Sequence, residues 1–483
     1  MCQGPVELLL SLGKPEPVRE LLRCVFRNQN ADGDWPQWFM FFERERSIRP
    51  GDSHGDIVYW PLLALGQYLL ASDDAALLDE ELSFFHPEGE ARAERATVLG
   101  HVERALARIE RRLVPGTRLP IYGNGDWNDA LQLADRALAE RVSSAWTATL
   151  QHQTFATLAA ALRSAGQRAL ATRLDAARAE TAADFERLLV AGGIVAGLAC
   201  FGEDGSIRRW LHPSDSETGI RYSLLPMIHA ILANLLTREQ AAAHAEAIRR
   251  HLLAADGARL FDRPVAYHGG AQHRFQRAET ASFFGREIGL LYTHAHLRYA
   301  EAMAHLGDAG AFFLALRQAN PVGLRDAVPN ARLRQANCYT SSSDAAFADR
   351  YEALARYDAV RSGDVAVEGG WRVYSSGAGI FVRLVRECLL GLRIRRSSLG
   401  IDPVLPRALD GLCARTVLAG REVELRYRVG PRGCGVRTLA LGGSPLPFER
   451  EENPYREGGA VVAMEACRER LRGGAGVLEI EVG

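Results

Sequence analysis

Over most of residues 5–395, apolar side chains recur at helical spacing, and loops dense in Gly, Pro, Trp, Asp and His interrupt them. IVYWPLLALGQYLLA, AWTATLQHQTFATLAAALRSA, YSLLPMIHAILANLL and IGLLYTHAHLRYAEAMAHLG each carry an apolar stripe at i, i+3 and i+4. About ten to twelve such segments follow one another. A chain of this kind buries its stripes by packing helix on helix, and the alternation predicts a helical toroid whose loops form a funnel at one end. Past residue 397 the pattern changes. GIDPVLPRAL is a Pro-punctuated connector, and TVLAGREVELRYRVG, VRTLALGGSPL, GAVVAMEA and GVLEIEVG alternate between glycine-bounded turns, as strands do. The expectation is a helical domain over 1–397 and a small antiparallel β-domain over 398–483.

The totals narrow the partners. A length of 483 residues exceeds one small core. A net charge of −1 gives no global pull towards nucleic acid or an anionic membrane. The eight cysteines are scattered without a CxxC pair, which fits a reducing cytoplasm better than a disulfide framework and offers no metal-type spacing. No apolar run reaches the roughly 18 residues that span a bilayer, and MCQGPVELLLSLGK lacks the layout of a signal peptide.

The chemistry sits in the loops. GNGDWNDAL (123–131) places Asp126, Trp127, Asn128 and Asp129 at the mouth of a helix. Asp and Asn are favoured N-caps, which accounts for one carboxylate but not for the aromatic beside it. GDWPQWFMF (33–41) sets Asp34 and Gln37 beside Trp35 and Trp38; such pairs suit sugars, whose C–H faces stack on rings, and equally suit core tryptophans. RPGDSHGDIVYWP (49–61) offers Arg49, Asp52, His54 and Asp56, the last also a candidate cap. GREIGLLYTHAH (285–296) carries Glu287, His294 and His296. The two imidazoles lie about 200° apart around a helix, so they do not chelate one ion, and a helical His is commonly a hydrogen-bonded core residue. GGWRVYSSGAGIF (369–381) brings Arg372, Ser375, Ser376 and Gly377 ahead of an apolar helix, a layout for an anion or for a plain Ser cap. NCYTSSSDAAFADRY (337–351) is a second hydroxyl-rich helix start.

Together these segments resemble, in order, the inverting carbohydrate phosphorylases of glycoside hydrolase family 94, the group that includes cellobiose phosphorylase. GNGDWNDAL is similar to the family's acid signature, SHGDIVYWP to its acid-then-WLP segment, THAH to its THAN stretch and VYSSGAGI to its phosphate motif. QGPVELLL, NQNADGDWPQWFMF and EGGWRVYSSGAGI look closest to the branch of β-1,2-oligoglucan phosphorylases and the C-terminal part of cyclic β-1,2-glucan synthases. The resemblance implies an (α/α)6 barrel followed by the β-domain. It implies Asp129 as general acid, with Trp127, Trp38, Gln37, Arg49, Asp56 and Glu287 binding substrate and His294, Arg372, Ser376 and Gly377 holding phosphate. Where the family has a glutamine before the phosphate motif, Ser342, Ser343 or Arg372 stands in. It implies no cofactor beyond inorganic phosphate as co-substrate, a β-linked gluco-oligosaccharide as partner, homodimers as a common assembly, and a cytoplasmic site, or the cytoplasmic face of the inner membrane within a longer synthase. Family members carry a β-sandwich and a linker ahead of QGPVELLL, where this sequence starts; an incomplete first helical pair is then expected to expose apolar surface.

One acid plus an anion cradle suits phosphorolysis. The leaving oxygen must be protonated, which asks for a raised pKa at Asp129, with Trp127 excluding water. Inverting hydrolysis needs a second carboxylate about 6.5–9.5 Å away to activate water, whereas phosphate is already an anion and needs only positioning. The expected reaction is reversible: β-glucan plus phosphate gives α-glucose 1-phosphate and a chain one glucose shorter. An inverting hydrolase on the same scaffold and a non-catalytic glucan binder are the alternatives.

Overall fold

The structure, a computed structural model, describes residues 2–51, 53–282, 291–332, 341–369, 377–472 and 476–483. Its helices of seven residues or more are α1 (Gly4–Ser11), α2 (Pro15–Phe26), α3 (Tyr59–Ser72), α4 (Val98–Glu110), α5 (Ala145–Ser164), α6 (Arg168–Asp184), α7 (Leu224–Leu232), α8 (Arg238–His251), α9 (Thr293–Leu306), α10 (Ala309–Ala319), α11 (Ala378–Leu384) and α12 (Met464–Leu471). Local chemistry fixes several starts. Thr97 caps α4 and Ser144 caps α5, while Thr237 and Gln240 close a reciprocal capping box on α8.

The odd-numbered helices up to α11 each touch the next, and α11 returns to α1. Four of the even-numbered ones lie against them: α2 on α1 and α3, α6 on α5, α8 on α7, α10 on α9. Where α11 meets α1, a Cβ on Gly379 would stand 2.6 Å from the Gly4 carbonyl oxygen, so only glycine allows that approach. A buried ion-pair network crosses the same seam. Arg383 Nε lies 2.7 Å from Glu7, and Arg298 and Arg383 each lie 2.7 Å from Glu301. A cavity of about 460 Å³ runs inside this circuit, lined from α1, α3, α5, α7, α9 and α11 by residues such as Glu7, Trp60, Gln153, His229, Arg298 and Arg383. Within it Glu7, Arg298, Glu301, Arg383 and Glu387 are paired with one another.

The loops gather at the N-terminal ends of the odd helices. Strand Val142–Ser144 runs straight into α5, and Leu291–Tyr292 straight into α9. The latter corrects the sequence reading, which carried the helix back through both residues. Their backbone groups pair with Ser342 and Ser343, and Thr293 N–H donates to the Ser341 carbonyl (2.7 Å), so the helix begins only at Thr293. α1 is covered by α11, and Val6 is fully buried. Among the exposed large apolar side chains, Trp38, Phe41, Phe42 and Ile48 share one loop, while Leu12 at the end of α1 and Val382 on α11 are exposed near the seam.

At the opposite end lies the β-unit: β1 (Leu392–Ile394), β2 (Ser398–Ile401), β3 (Cys413–Leu418), β4 (Arg421–Val429), β5 (Val436–Leu441), β6 (Ser444–Pro445), β7 (Glu449–Arg450), β8 (Ala460–Ala463) and β9 (Gly476–Val482). One sheet has the order β1-β2-β8-β7, the other β3-β4-β9-β5-β6. Pairing is antiparallel except between β4 and β9, a correction to the all-antiparallel expectation. α12 supplies the crossover that lets β9 return alongside β4 in the same direction. It also takes Met464 to Ala466, which the sequence had read as strand. The unit docks through Arg456, which holds Asp402 (2.8 and 2.9 Å) and donates to the Ala304 and His305 carbonyls at the end of α9. Among the described residues no helix is long and apolar enough to cross a membrane.

Candidate active site

Two loops are sewn together ahead of α3 and α5. His54 bridges Gly123, and Gly55 N–H donates to the Gly125 carbonyl (2.8 Å). A Cβ on Gly55 would stand 2.6 Å from the Ile121 carbonyl oxygen, so the pairing needs that glycine. The join places Asp126, Trp127 and Asp129 against His54 and Asp56.

Asp126 is a loop clamp. Its carboxylate accepts from Ser144 Oγ (2.7 Å) and from the Asn128 N–H (2.9 Å). Burial pushes it up to about 6 despite those bonds. Asn128 caps the short turn Asp129–Leu131, accepting from Ala130 N–H. Asp129 therefore starts a turn, one third exposed, with Oδ2 accepting from Arg277 Nη1 at 3.0 Å. Its Oδ1 lies 3.8 Å from His54 Nδ1. That nitrogen is 3.1 Å from the Asp126 carbonyl, which can only accept, so His54 carries its proton there and turns Nε2 to the Gln132 amide (3.3 Å). Gln37 approaches the same ring at 3.4 Å.

Asp56 is fully buried. Trp60 Nε1 donates to its Oδ2 (2.9 Å), and its Oδ1 has no hydrogen-bond partner among the described residues. Burial first, then the neighbouring Asp126, push this carboxyl up to about 8, so it is protonated at neutral pH. His294, at the start of α9 and 4 % exposed, has an Nδ1 without a hydrogen-bond partner among the described residues. Burial, reinforced by the Arg298 charge, keeps the imidazole neutral. Trp127 joins the two halves of the site: its ring meets His294 and Tyr292 edge-on, each at 4.9 Å, and lies 6.4 Å from Trp146.

The loop at 33–41 divides its tryptophans. Trp35 is core, its Nε1 donating to the Val25 carbonyl (2.8 Å), whereas Trp38 is 50 % exposed. Asp34 is buried against Arg112 (2.9 Å). Arg49 lies 3.6 Å over the Phe85 ring and bonds Asn30 (2.8 Å) and the Asn28 carbonyl. These contacts tie it to the 28–30 segment and not to Asp129. His296 is a core residue, accepting from Ala258 N–H and donating to the Ala315 carbonyl. Gly377 directly precedes α11, its carbonyl accepting from Phe381 N–H (2.9 Å). Glu287, Arg372, Ser376, Ser375 and Asp52 lie outside the described residues. Ser342 and Ser343 are buried beside the strand that leads to His294. No group of three His, Cys, Asp or Glu side chains among the described residues is placed to hold a metal ion.

Arg277 and Gln132 carry no signal in the sequence. Arg277 stands 148 residues from Asp129, on a single helical turn, Arg277–Thr280. That turn is pinned beside the acid loop by a Leu133–Phe275 bridge and by Gln276, whose N–H donates to the Gln132 carbonyl (2.8 Å).

Residues 13–351 match the glycosyl hydrolase 94 superfamily catalytic domain, and residues 391–472 match a glycoside phosphorylase C-terminal domain. A 1,2-beta-oligoglucan phosphorylase of Listeria innocua serovar 6a is 40% identical over 463 residues, covering 95% of this chain; the chain spans 42% of that relative's length. Among solved structures, a sialidase overlays with a TM-score of 0.49 at 14% identity, covering 83% of this chain and 32% of its own. A family 78 rhamnosidase of Bacillus sp. GL1 gives 0.46 at 14% identity, covering 88% and 37%.

Proposed function

This chain belongs to the glycosyl hydrolase 94 superfamily, and from that premise we propose that it is a glycoside phosphorylase, a hexosyltransferase acting on β-linked gluco-oligosaccharides. The relative's printed name favours the β-1,2 linkage. Inorganic phosphate is the co-substrate, the products are α-D-glucose 1-phosphate and a chain shortened by one glucose, and the reaction runs both ways. The circuit α1–α3–α5–α7–α9–α11, with α2, α6, α8 and α10 against it, is read as the inner ring of an (α/α)6 barrel. A cytoplasmic site and a homodimer complete the proposal.

The observation that carries this reading is the 4.9 Å contact of Trp127 with His294. It sets the loop of a proton donor beside a buried imidazole whose Nδ1 has no partner among the described residues, with one aromatic ring joining them. Asp129 donates to the glycosidic oxygen as the bond breaks. Asp56, protonated and with one oxygen lacking a partner among the described residues, takes hydroxyls of the donor glucose, as Gln37, Trp38 and Arg49 do. His294 and the start of α11 at Gly377 orient phosphate; Glu287, Arg372 and Ser376 are proposed for the same work from the family resemblance. The two other described carboxyls of this loop pair also argue against hydrolysis. Asp56 is protonated and Asp126 is tied to Ser144 and Asn128, so neither offers an open, ionised base for water.

The test is glucose 1-phosphate release from a panel of glucobioses and longer oligomers, with and without phosphate. Phosphate-dependent release is expected, together with a loss of about 10²–10⁴-fold in Asp129→Asn. Release that ignores phosphate, or an Asp129→Asn enzyme within tenfold of the parent, would falsify the reading.

A further inference from the structure

Trp146 stands in the first turn of α5, 4 % exposed, and its indole nitrogen has no hydrogen-bond partner among the described residues. An indole N–H can only donate, and a buried tryptophan ordinarily finds an acceptor for it. Trp35 donates to the Val25 carbonyl and Trp60 to Asp56, as that rule requires. Trp210 Nε1 is a second exception, so the missing acceptor does not by itself mark a site. The neighbours do. The Trp146 ring lies 6.0 Å from Trp60 and 6.4 Å from Trp127, and His229 meets it edge-on at 5.9 Å. Trp210 instead meets Phe275 and Arg208, away from these rings.

Two more buried atoms border the same aromatic group. Asp56 Oδ1 and His294 Nδ1 also lack a partner among the described residues. Trp60 bonds Asp56 and touches Trp146, while Trp127 touches both Trp146 and His294. The run of rings Trp60–Trp146–Trp127–His294 therefore carries such an atom at each end and one between. Hydrophobic cores avoid this arrangement, whereas sites for polar ligands combine aromatic walls with a few convergent polar atoms.

Position in the circuit tells which part of the ligand Trp146 meets. Asp56 leads into α3, which packs on α5, whereas α7 stands between α5 and α9, the helix that His294 begins. Trp146 thus groups with the carboxyl assigned to the donor glucose and not with the imidazole assigned to phosphate. Its mounting is firm: Ser144, the cap of α5, donates to Asp126 of the acid loop (2.7 Å), and the Val142 carbonyl accepts from Tyr122 N–H (2.7 Å).

Resting on the phosphorolysis reading, we propose that Trp146 is a specificity-determining residue of the donor side. Its indole N–H donates to the oxygen of one hydroxyl of the glucosyl unit being transferred, beside the contact made by Asp56. A buried donor left without that oxygen rejects a sugar in which the hydroxyl is missing.

The experiment runs the synthetic direction with glucose 1-phosphate and its 2-, 3-, 4- and 6-deoxy analogues, using one gluco-oligosaccharide acceptor. It compares the parent, Trp146→Phe and Trp210→Phe. Each analogue's penalty is its loss of kcat/KM relative to glucose 1-phosphate. With glucose 1-phosphate itself, Trp146→Phe loses about tenfold in kcat/KM. One of the four penalties shrinks at least fivefold in Trp146→Phe and the other three stay within twofold. Trp210→Phe keeps all four. Four unchanged penalties in Trp146→Phe, or four that shift together as a purely structural role would give, overturn the assignment. A crystal structure of the parent with glucose 1-phosphate decides the point without a variant. The Trp146 indole nitrogen is expected within about 3.2 Å of a sugar hydroxyl; contact with a phosphate oxygen, or with no ligand atom, overturns the assignment. The premise fails separately: a parent without phosphate-dependent turnover sinks the phosphorolysis reading, whereas an active parent with unshifted penalties sinks only Trp146.

Discussion

Asp56 and Asp126 differ by what surrounds each carboxyl. Asp126 has two donors and Asp56 one, and burial acts on both. A native Asp56 at about 8 binds a proton that the unfolded chain, with an aspartate near the ordinary value of about 3.9, has lost by neutral pH. Native proteins hold more protons than unfolded ones across that window, so this group's contribution falls as pH rises from about 4 to about 8 and is flat beyond. Asparagine does not titrate. The melting-temperature difference between Asp56→Asn and the parent should therefore be more positive at pH 8 than at pH 5, while phosphorolysis drops. Equal differences at both pH values would show that Asp56 is ionised in the fold. At this scale the sequence made Asp129, Trp127, Asp56 and His294 visible, because each sits in a dense polar–aromatic run. Arg277 was invisible: an arginine in QRAET is like any other until a loop far along the chain is folded onto the acid.

Helices were the legible elements, since an apolar stripe at 3.6 spacing survives in any packing. Their ends were less so. Leu291 and Tyr292 read as helix because their apolar character suits either state, and only pairing with Ser342 and Ser343 decides for strand. Met464 to Ala466 read as strand for the same reason, continuing the run Ala460–Ala463. The even choice between sugar platform and core at Trp35 and Trp38 was undecidable from spacing; the fold buries Trp35 in the core and leaves Trp38 half exposed. Between elements, Glu7 is the most consequential charge. Burial pushes its carboxyl up, but Arg298 and Arg383 outweigh that and hold it below the usual range. Glu7→Gln leaves two buried guanidinium groups short of a partner, a loss of about 3–5 kcal/mol. Calorimetry should show a melting temperature several degrees lower; an unchanged transition would mean that Glu301 alone satisfies both arginines.

For the whole molecule, the funnel and the β-unit occupy opposite ends of the same helices. Arg456 ties that unit to the end of α9 and to Asp402. Arg456→Ala should speed hydrogen exchange across β1–β9 while leaving phosphorolysis within about threefold, since surface-exposed loops at the other end keep their own anchors. A hundredfold loss of rate with unchanged exchange would tie the two ends together. The seam of α1 on α11, held at Gly379 and Gly4, bears on how such a chain is made. α11 leaves the ribosome about 370 residues after α1. At ordinary elongation speeds that is roughly 20 to 75 s. Through that interval the face of α1 that meets α11 has no cover, although α2 and α3 already lie against its other sides, so this seam is the last of the circuit to close.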